Sequence, residues 1–203
     1  VVKNGTVLGP GNLVFEGAVL GGLPQHVNIP ENPGRLVIGA GNTIRENVTF
    51  HRALHDDGET VIGDNNLFMV NTHIAHDCRI GNHTIFTNNS MLAGHVTVGD
   101  RAYLSGAAAA HQFCRIGAHV MTGVGTVVLQ DIPTYVTVSG NSAAAHGINS
   151  EGLKRRGFAP EEIAIIRRAY KTLYKSGLLL EEAKAQLAAE AAAQIELLPL
   201  VEF

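Results

Sequence analysis

Aliphatic or small residues recur at every sixth position along much of the chain. The run is Ile62, Phe68, Ile74, Ile80, Phe86, Leu92, Val98, Leu104, Ala110, Ile116, Thr122 and Val128. The same register holds upstream at Val2, Leu8, Val14 and Leu20, and again at Ile38, Ile44 and Phe50, and it fails at His26, Asn32 and Asp56. Gly often follows the repeat residue (Gly21, Gly39, Gly63, Gly81, Gly99, Gly117), and four residues after the repeat residue stands something small or branched, such as Thr72, Cys78, Thr84, Ser90, Val96 and Cys114. Period six is neither the 3.6 of a helix nor the simple alternation of a strand; it predicts a left-handed parallel β-helix of the hexapeptide class. Three hexapeptides make one triangular coil, so residues 18 apart stack in a column with a rise of about 4.8 Å per coil.

Two stretches, 22–35 and 53–60, break the register. They are rich in Pro, Gly and Asp and read as loops extruded from a coil, where recognition commonly sits. From about Gly152 the pattern changes. Pro160 opens a segment with Ile163, Ile166, Tyr170 and Leu173 on one helical face and Gly177 beyond its end. The Ala- and Glu-rich stretch from Leu180 predicts another helix ending before Pro199. The expected organisation is a β-helix over 1–150 and a small helical domain over 151–203. The chain opens VVKNG, without Met and already inside the pattern, so its natural start and further coils are expected ahead of it.

Composition agrees with this picture. Among 203 residues there are 23 Gly and no Trp, which favours a fold that turns often and packs small aliphatics. A net charge of -3 gives no global basic field for nucleic acid. No apolar run reaches the roughly 18 to 20 residues of a membrane span, and the expected location is cytoplasmic. Cys78 and Cys114 fall in one inward column two coils apart, about 9 to 10 Å between backbones. That is too far for a disulfide, so both are read as buried thiols in a reducing compartment.

Four histidines, His73, His76, His83 and His95, crowd the stretch from Asn71 to Val96. The 18-residue column rule groups His76, Gly94 and Gln112; then Asp77, His95 and Phe113; then Ala75, Ala93 and His111. A base, a carboxylate to orient it and a glycine N–H one rung away thus converge, which is the equipment for acyl transfer to a hydroxyl. A three-histidine zinc site of the kind some left-handed β-helices carry needs ligands separated by 36 and then 5 residues. His83 and His119 are 36 apart but Val124 stands at the next position, and 36 beyond His76 stands Gln112, so either way a ligand is missing. For His83 and His119, which share a column with Arg101, solvated or rung-bonded imidazoles are the simpler reading. Lys154, Arg155 and Arg156, followed by Arg167, Arg168, Lys171 and Lys175, form a local basic zone that is either a solvated helix face or a dock for an acidic carrier protein.

The segments HIAHDCRIG, LAGHV, AHQFCRIGAHVM and NSEGLKRRGF, with RRAYKTLYKSG in the helical tail, closely resemble the acyl carrier protein-dependent UDP-N-acetylglucosamine 3-O-acyltransferases of lipid A biosynthesis, from about Gly17 to Gly177. The resemblance implies a homotrimer with active sites between adjacent β-helices, the partners acyl carrier protein and UDP-N-acetylglucosamine, and no metal or resident cofactor, the acyl group arriving on the phosphopantetheine of the carrier. It implies His76 as general base, Asp77 as its support and the Gly94 N–H as oxyanion donor. It assigns Gln25, His73, His95, His111 and Gln112 to substrate contact and Asn149, Glu151, Arg155 and Arg156 to the nucleotide side, where guanidiniums suit a diphosphate. Two positions depart from the family pattern. His26 and Asn28 stand where Asp and Lys are usual, which leaves open a different nucleotide sugar, including transfer to an amine. Val124 stands where Gly often ends the acyl groove, which implies a shorter acyl chain. A catalytically idle trimeric scaffold is the reading from another class, and it predicts that His76→Ala changes nothing.

Overall fold

The structure, a computed structural model, describes all 203 residues. Short parallel strands wind into three sheets that form the faces of a triangular prism. The first face runs from Thr6–Leu8 to Arg115–Ile116 with six strands, the second begins at Leu13–Val14 and has eight, and the third runs from Val19–Gly22 to Val127–Val128 with six. Successive coils pair at the predicted spacing of 18, as in His73 with Met91 and Met91 with Ala109. Backbone N–H and C=O groups bond to the coils above and below, so a two-residue strand suffices on each face.

Two residues per hexapeptide point inward. The repeat residue is buried, as at Phe50, Phe68, Ile74, Phe86 and Leu92, and so is the small residue four positions later, as at Thr72, Cys78, Ser90 and Val96. Through the core Phe50 packs edge-on against Phe68 and Phe68 stacks on Phe86, with ring centroids 4.8 and 5.0 Å apart. Cys78 and Cys114 are buried and free, and burial pushes the Cys78 thiol up to about 12. Most corners need one residue near φ +60°, taken by Asn47, Asn65, Asn71 and Asn89 but also by Asp77, His95, Arg101 and Phe113. Asn, Asp and His tolerate that region better than most residues. At Gly63 and Gly99 a Cβ would lie 2.6 Å from the next coil's backbone, which explains the glycine that follows the repeat residue.

The two register breaks are loops, and both leave the same corner, between the third and first faces. Val19 pairs with Thr49, 30 residues on, and Thr49 with His73, 24 on. The insertions are therefore twelve and six residues long, whole hexapeptide lengths, so the period survives on both sides of them.

After the last coil, strand Ala144–Ile148 turns back antiparallel on Val136–Ser139 and closes the second face. Helices α1 (Ser150–Arg155), α2 (Pro160–Lys175) and α3 (Leu180–Ala191) follow. Ile163 and Ile166 of α2 pack with Tyr135 and Leu153, and Tyr170 reaches the main core. The helix expected from Leu180 and ending before Pro199 ends at Ala191. The chain doubles back through a 3-10 turn (Ile195–Leu197) and a short α4 (Leu198–Val201), burying Leu197 against Ala169 and Leu187. No helix is long and apolar enough to cross a membrane.

Phe68→Ala removes the middle ring of the aromatic stack and should cost about 3–5 kcal/mol. The denaturant midpoint measures it, and a loss below 1 kcal/mol would mean that the core does not depend on that stack.

Candidate active site

The corner between the third and first faces gathers His76, Asp77, Gly94 and His95. His76 is buried, and its Nδ1 lies 2.7 Å from Oδ2 of Asp77. The same carboxylate oxygen accepts the Leu54 N–H at 3.1 Å, and the Asp77 N–H donates to Thr60 Oγ1 at 2.8 Å. Leu54 belongs to the extruded loop 52–58, so that loop locks the carboxylate which in turn holds the imidazole. With Nδ1 engaged, Nε2 is the ring atom left to act on a proton.

Gly94 stands one coil above. A Cβ there would come 2.7 Å from His76 Cε1 and 2.9 Å from Nε2, so only glycine leaves the imidazole its place. The Gly94 carbonyl accepts from Phe113, while its N–H has no acceptor within the chain. His95 sits edge-on to His76 with centroids 5.3 Å apart and stacks on Phe113 at 4.7 Å. Its Nε2 is 3.8 Å from Asp77 Oδ2. His76, Asp77 and His95 could bring three ligand atoms within 4.8 Å of one another, and Asp77 Oδ2 already takes part in two hydrogen bonds.

The remaining predicted residues fall in four places. Gln25, His111 and Gln112 are exposed at the same corner, with His111 Nδ1 3.2 Å from the Gln112 carbonyl. His73 lies on the adjoining strand, its Nδ1 2.8 Å from Thr49 Oγ1, with its pKa lowered by burial. The nucleotide-side group lies instead at the corner between the first and second faces. Asn149 is buried there as the N-cap of α1, accepting from Gly152 N–H and donating to the His119 carbonyl at 3.0 Å. Glu151 pairs with Lys154, Arg155 is exposed, and Arg156 is half-buried. Val124, 81% exposed, occupies the third corner. One chain alone therefore does not assemble the predicted site. A concavity of about 650 Å³ lies against the helical cap, lined in part by Arg115, Leu173, Leu187 and Phe203, away from the His76 corner.

Two histidines of the corner escape reasoning from the uninterrupted columns. His51 is buried edge-on to His73 at 5.0 Å, and burial, assisted by the His73 and His76 rings, lowers its pKa to about 4. Subtracting the six-residue insertion places it in the column of Ala75, Ala93 and His111, a signal present in the sequence. His26, on loop 23–34, brings its ring to 5.9 Å from His76 and accepts the Asn28 N–H at Nδ1. His119 also departs from the solvated reading. It packs against Tyr135 and Phe158 at 5.5 and 5.4 Å, and burial, followed by Arg156 and Arg101, pushes it to about 4.

Known proteins match both parts of the chain. A family profile for "Bacterial transferase hexapeptide (six repeats)" covers residues 59–94, and one for "Udp N-acetylglucosamine O-acyltransferase; Domain 2" covers 131–203. The acyl carrier protein-dependent UDP-N-acetylglucosamine O-acyltransferase of Thiobacillus denitrificans is 51% identical over 95% of this chain and 75% of its own length. That of Burkholderia lata is 50% identical over 92% and 71%. The chain belongs to the UDP-N-acetylglucosamine O-acyltransferase family. The solved structure of the Bacteroides fragilis UDP-N-acetylglucosamine acyltransferase superposes with a TM-score of 0.95 at 40% identity, covering all of this chain and 79% of that one. This member is an acyltransferase on a left-handed parallel β-helix with a helical C-terminal part.

Gly94→Ala should push a methyl into the imidazole and lower turnover about 10²-fold, the usual scale for a misplaced catalytic group, without changing the circular dichroism; full turnover would show that the contact does not matter. His51 and His119 bind protons less readily folded than unfolded. Stability contributed by their neutral forms is full above about pH 6.5 and is lost as pH falls towards about 4. NMR titration should find both rings neutral at about pH 5, where an ordinary imidazole is protonated.

Proposed function

We propose that this acyltransferase moves an acyl chain from the phosphopantetheine thioester of acyl carrier protein to the 3-hydroxyl of UDP-N-acetylglucosamine, the first step of lipid A biosynthesis, with His76 as general base. The observation that carries the reading is the His76 ring, fixed by Asp77 and overlain by a glycine that no other residue can replace. His76 Nε2 takes the proton of the sugar hydroxyl as its oxygen attacks the thioester carbonyl. The Gly94 N–H donates to the tetrahedral oxyanion. Collapse breaks the carbon–sulfur bond, and the imidazolium returns its proton to the departing thiolate. Asp77 keeps the ring oriented and stabilises the charge it carries between the two steps. His95, His111, Gln112, His73 and Gln25 contact substrate around this centre.

A homotrimer completes the site. Two features support it. The outward residues of the second face, Leu67, Ile85, Tyr103 and Met121, make an apolar ladder in register, whereas the corresponding positions of the first face include Arg79, Thr97 and Arg115. An apolar strip of that kind calls for cover. The acyl-transfer and nucleotide-side groups also lie at different corners, so a neighbouring copy must supply one to the other and exclude water. The basic residues Arg168, Lys171 and Lys175 on α2 offer the acidic carrier protein a dock, and the free buried thiols fit work in the cytoplasm.

His76→Ala should lower kcat by about 10² to 10⁴ while nucleotide-sugar affinity changes much less; unchanged turnover would remove the base. Val124→Gly should shift preference towards longer chains in competition between acyl donors, and an unaltered product distribution would exclude Val124 from the acyl groove.

A further inference from the structure

The corner between the first and second faces holds two arginines, Arg101 and Arg156, that make no ion pair with a carboxylate. Arg156, the C-cap of α1, donates from Nη2 to the Arg101 carbonyl at 2.7 Å and places Nη1 3.5 Å from His119 Nδ1. Arg101 and His119 occupy successive turns of one column, both at φ 59°. The Arg156 guanidinium is thereby strapped across two coils, with two of its five N–H groups engaged. Arg101 is exposed, and the ion pairs that arginines make in this chain belong to Arg35 and Arg45. The adjacent acid, Asp100, spends its Oδ1 on the Asn82 backbone N–H at 2.7 Å, and Glu151 is paired with Lys154. Burial and then the proximity of Arg101 lower the Arg156 pKa, as like charges forced together require.

Two neighbouring guanidiniums, one rigidly held and one free, with spare donors and no ion-paired carboxylate, suit a phosphate bridging both. We infer that Arg101 and Arg156 form a phosphate clamp at the junction of coil and helical cap, taking the diphosphate of the nucleotide sugar. The inference rests on the nucleotide-sugar reading above and adds to it Arg101, a residue of the coil and not of the GLKRRGF segment.

Calorimetric titration of the protein with UDP and with uridine tests it, on wild type, Arg101→Ala and Arg101→Lys. Arg101→Ala should weaken UDP about tenfold, the usual worth of a charge-assisted hydrogen bond, and leave uridine unchanged. Arg101→Lys should recover part of the loss, and KM for the sugar nucleotide should rise in parallel with kcat far less altered. Equal UDP affinity in wild type and Arg101→Ala overturns the clamp, as does equal weakening of uridine and UDP. A raised KM for acyl carrier protein with unchanged UDP affinity also overturns it, assigning Arg101 to the phosphate of the pantetheine arm. A wild-type protein that binds UDP through Arg101 but acylates no sugar would sink the acyl-transfer reading and leave the clamp standing.

Discussion

Every feature of this molecule depends on the backbone ladder between coils. Because each 18-residue turn bonds only to the turns above and below it, a side chain's column is fixed by its sequence number, and neighbours one rung apart are held within about 5 Å. The ladder places Gly94 over His76 and His95 over Asp77 without long-range folding of loops. It also tolerates insertions of whole hexapeptides, because a loop that leaves and re-enters at one corner disturbs no rung.

The two insertions then do something the coil alone cannot. Loop 52–58 supplies the Leu54 N–H that fixes Asp77, and loop 23–34 brings His26 up to His76. A carboxylate that receives one bond from an imidazole and another from a backbone amide has little freedom to turn, so its orientation is set before substrate arrives. His26, one of the positions expected to depart from the family pattern, sets its ring edge-on to His76 at 5.9 Å, so the departure falls beside the proposed base.

Period six made the coil legible, and column counting made His76, Asp77, Gly94 and His95 legible as a group. The place of His51 in its column is hidden because the six-residue insertion falls between it and Ala75. The approach of His26 could not be read at all, since a loop's return path is set by tertiary packing and not by period. The separation of Asn149 and Arg156 from His76 was equally invisible: a segment resemblance says which residues serve a ligand, not which corner of which copy presents them. The end of α3 at Ala191 was not legible because Ala-rich helix propensity favours continuation, while burial of Leu197 against α2 favours turning back.

The ladder also explains why the candidate site residues occupy corners. Inward positions are filled by close-packed aliphatics, and outward strand positions have their backbone groups spent on neighbouring coils. A corner alone combines a residue near φ +60°, whose side chain leaves the prism, with an N–H, as at Gly94, that no rung uses. Holding His, Arg or Phe in that region costs each about 1 kcal/mol relative to glycine, and stacked coils on either side supply the constraint that keeps them there. Prisms with reactive corners and one apolar face have a direct way to join two corners into one cleft, which is to pack face against face in a closed ring.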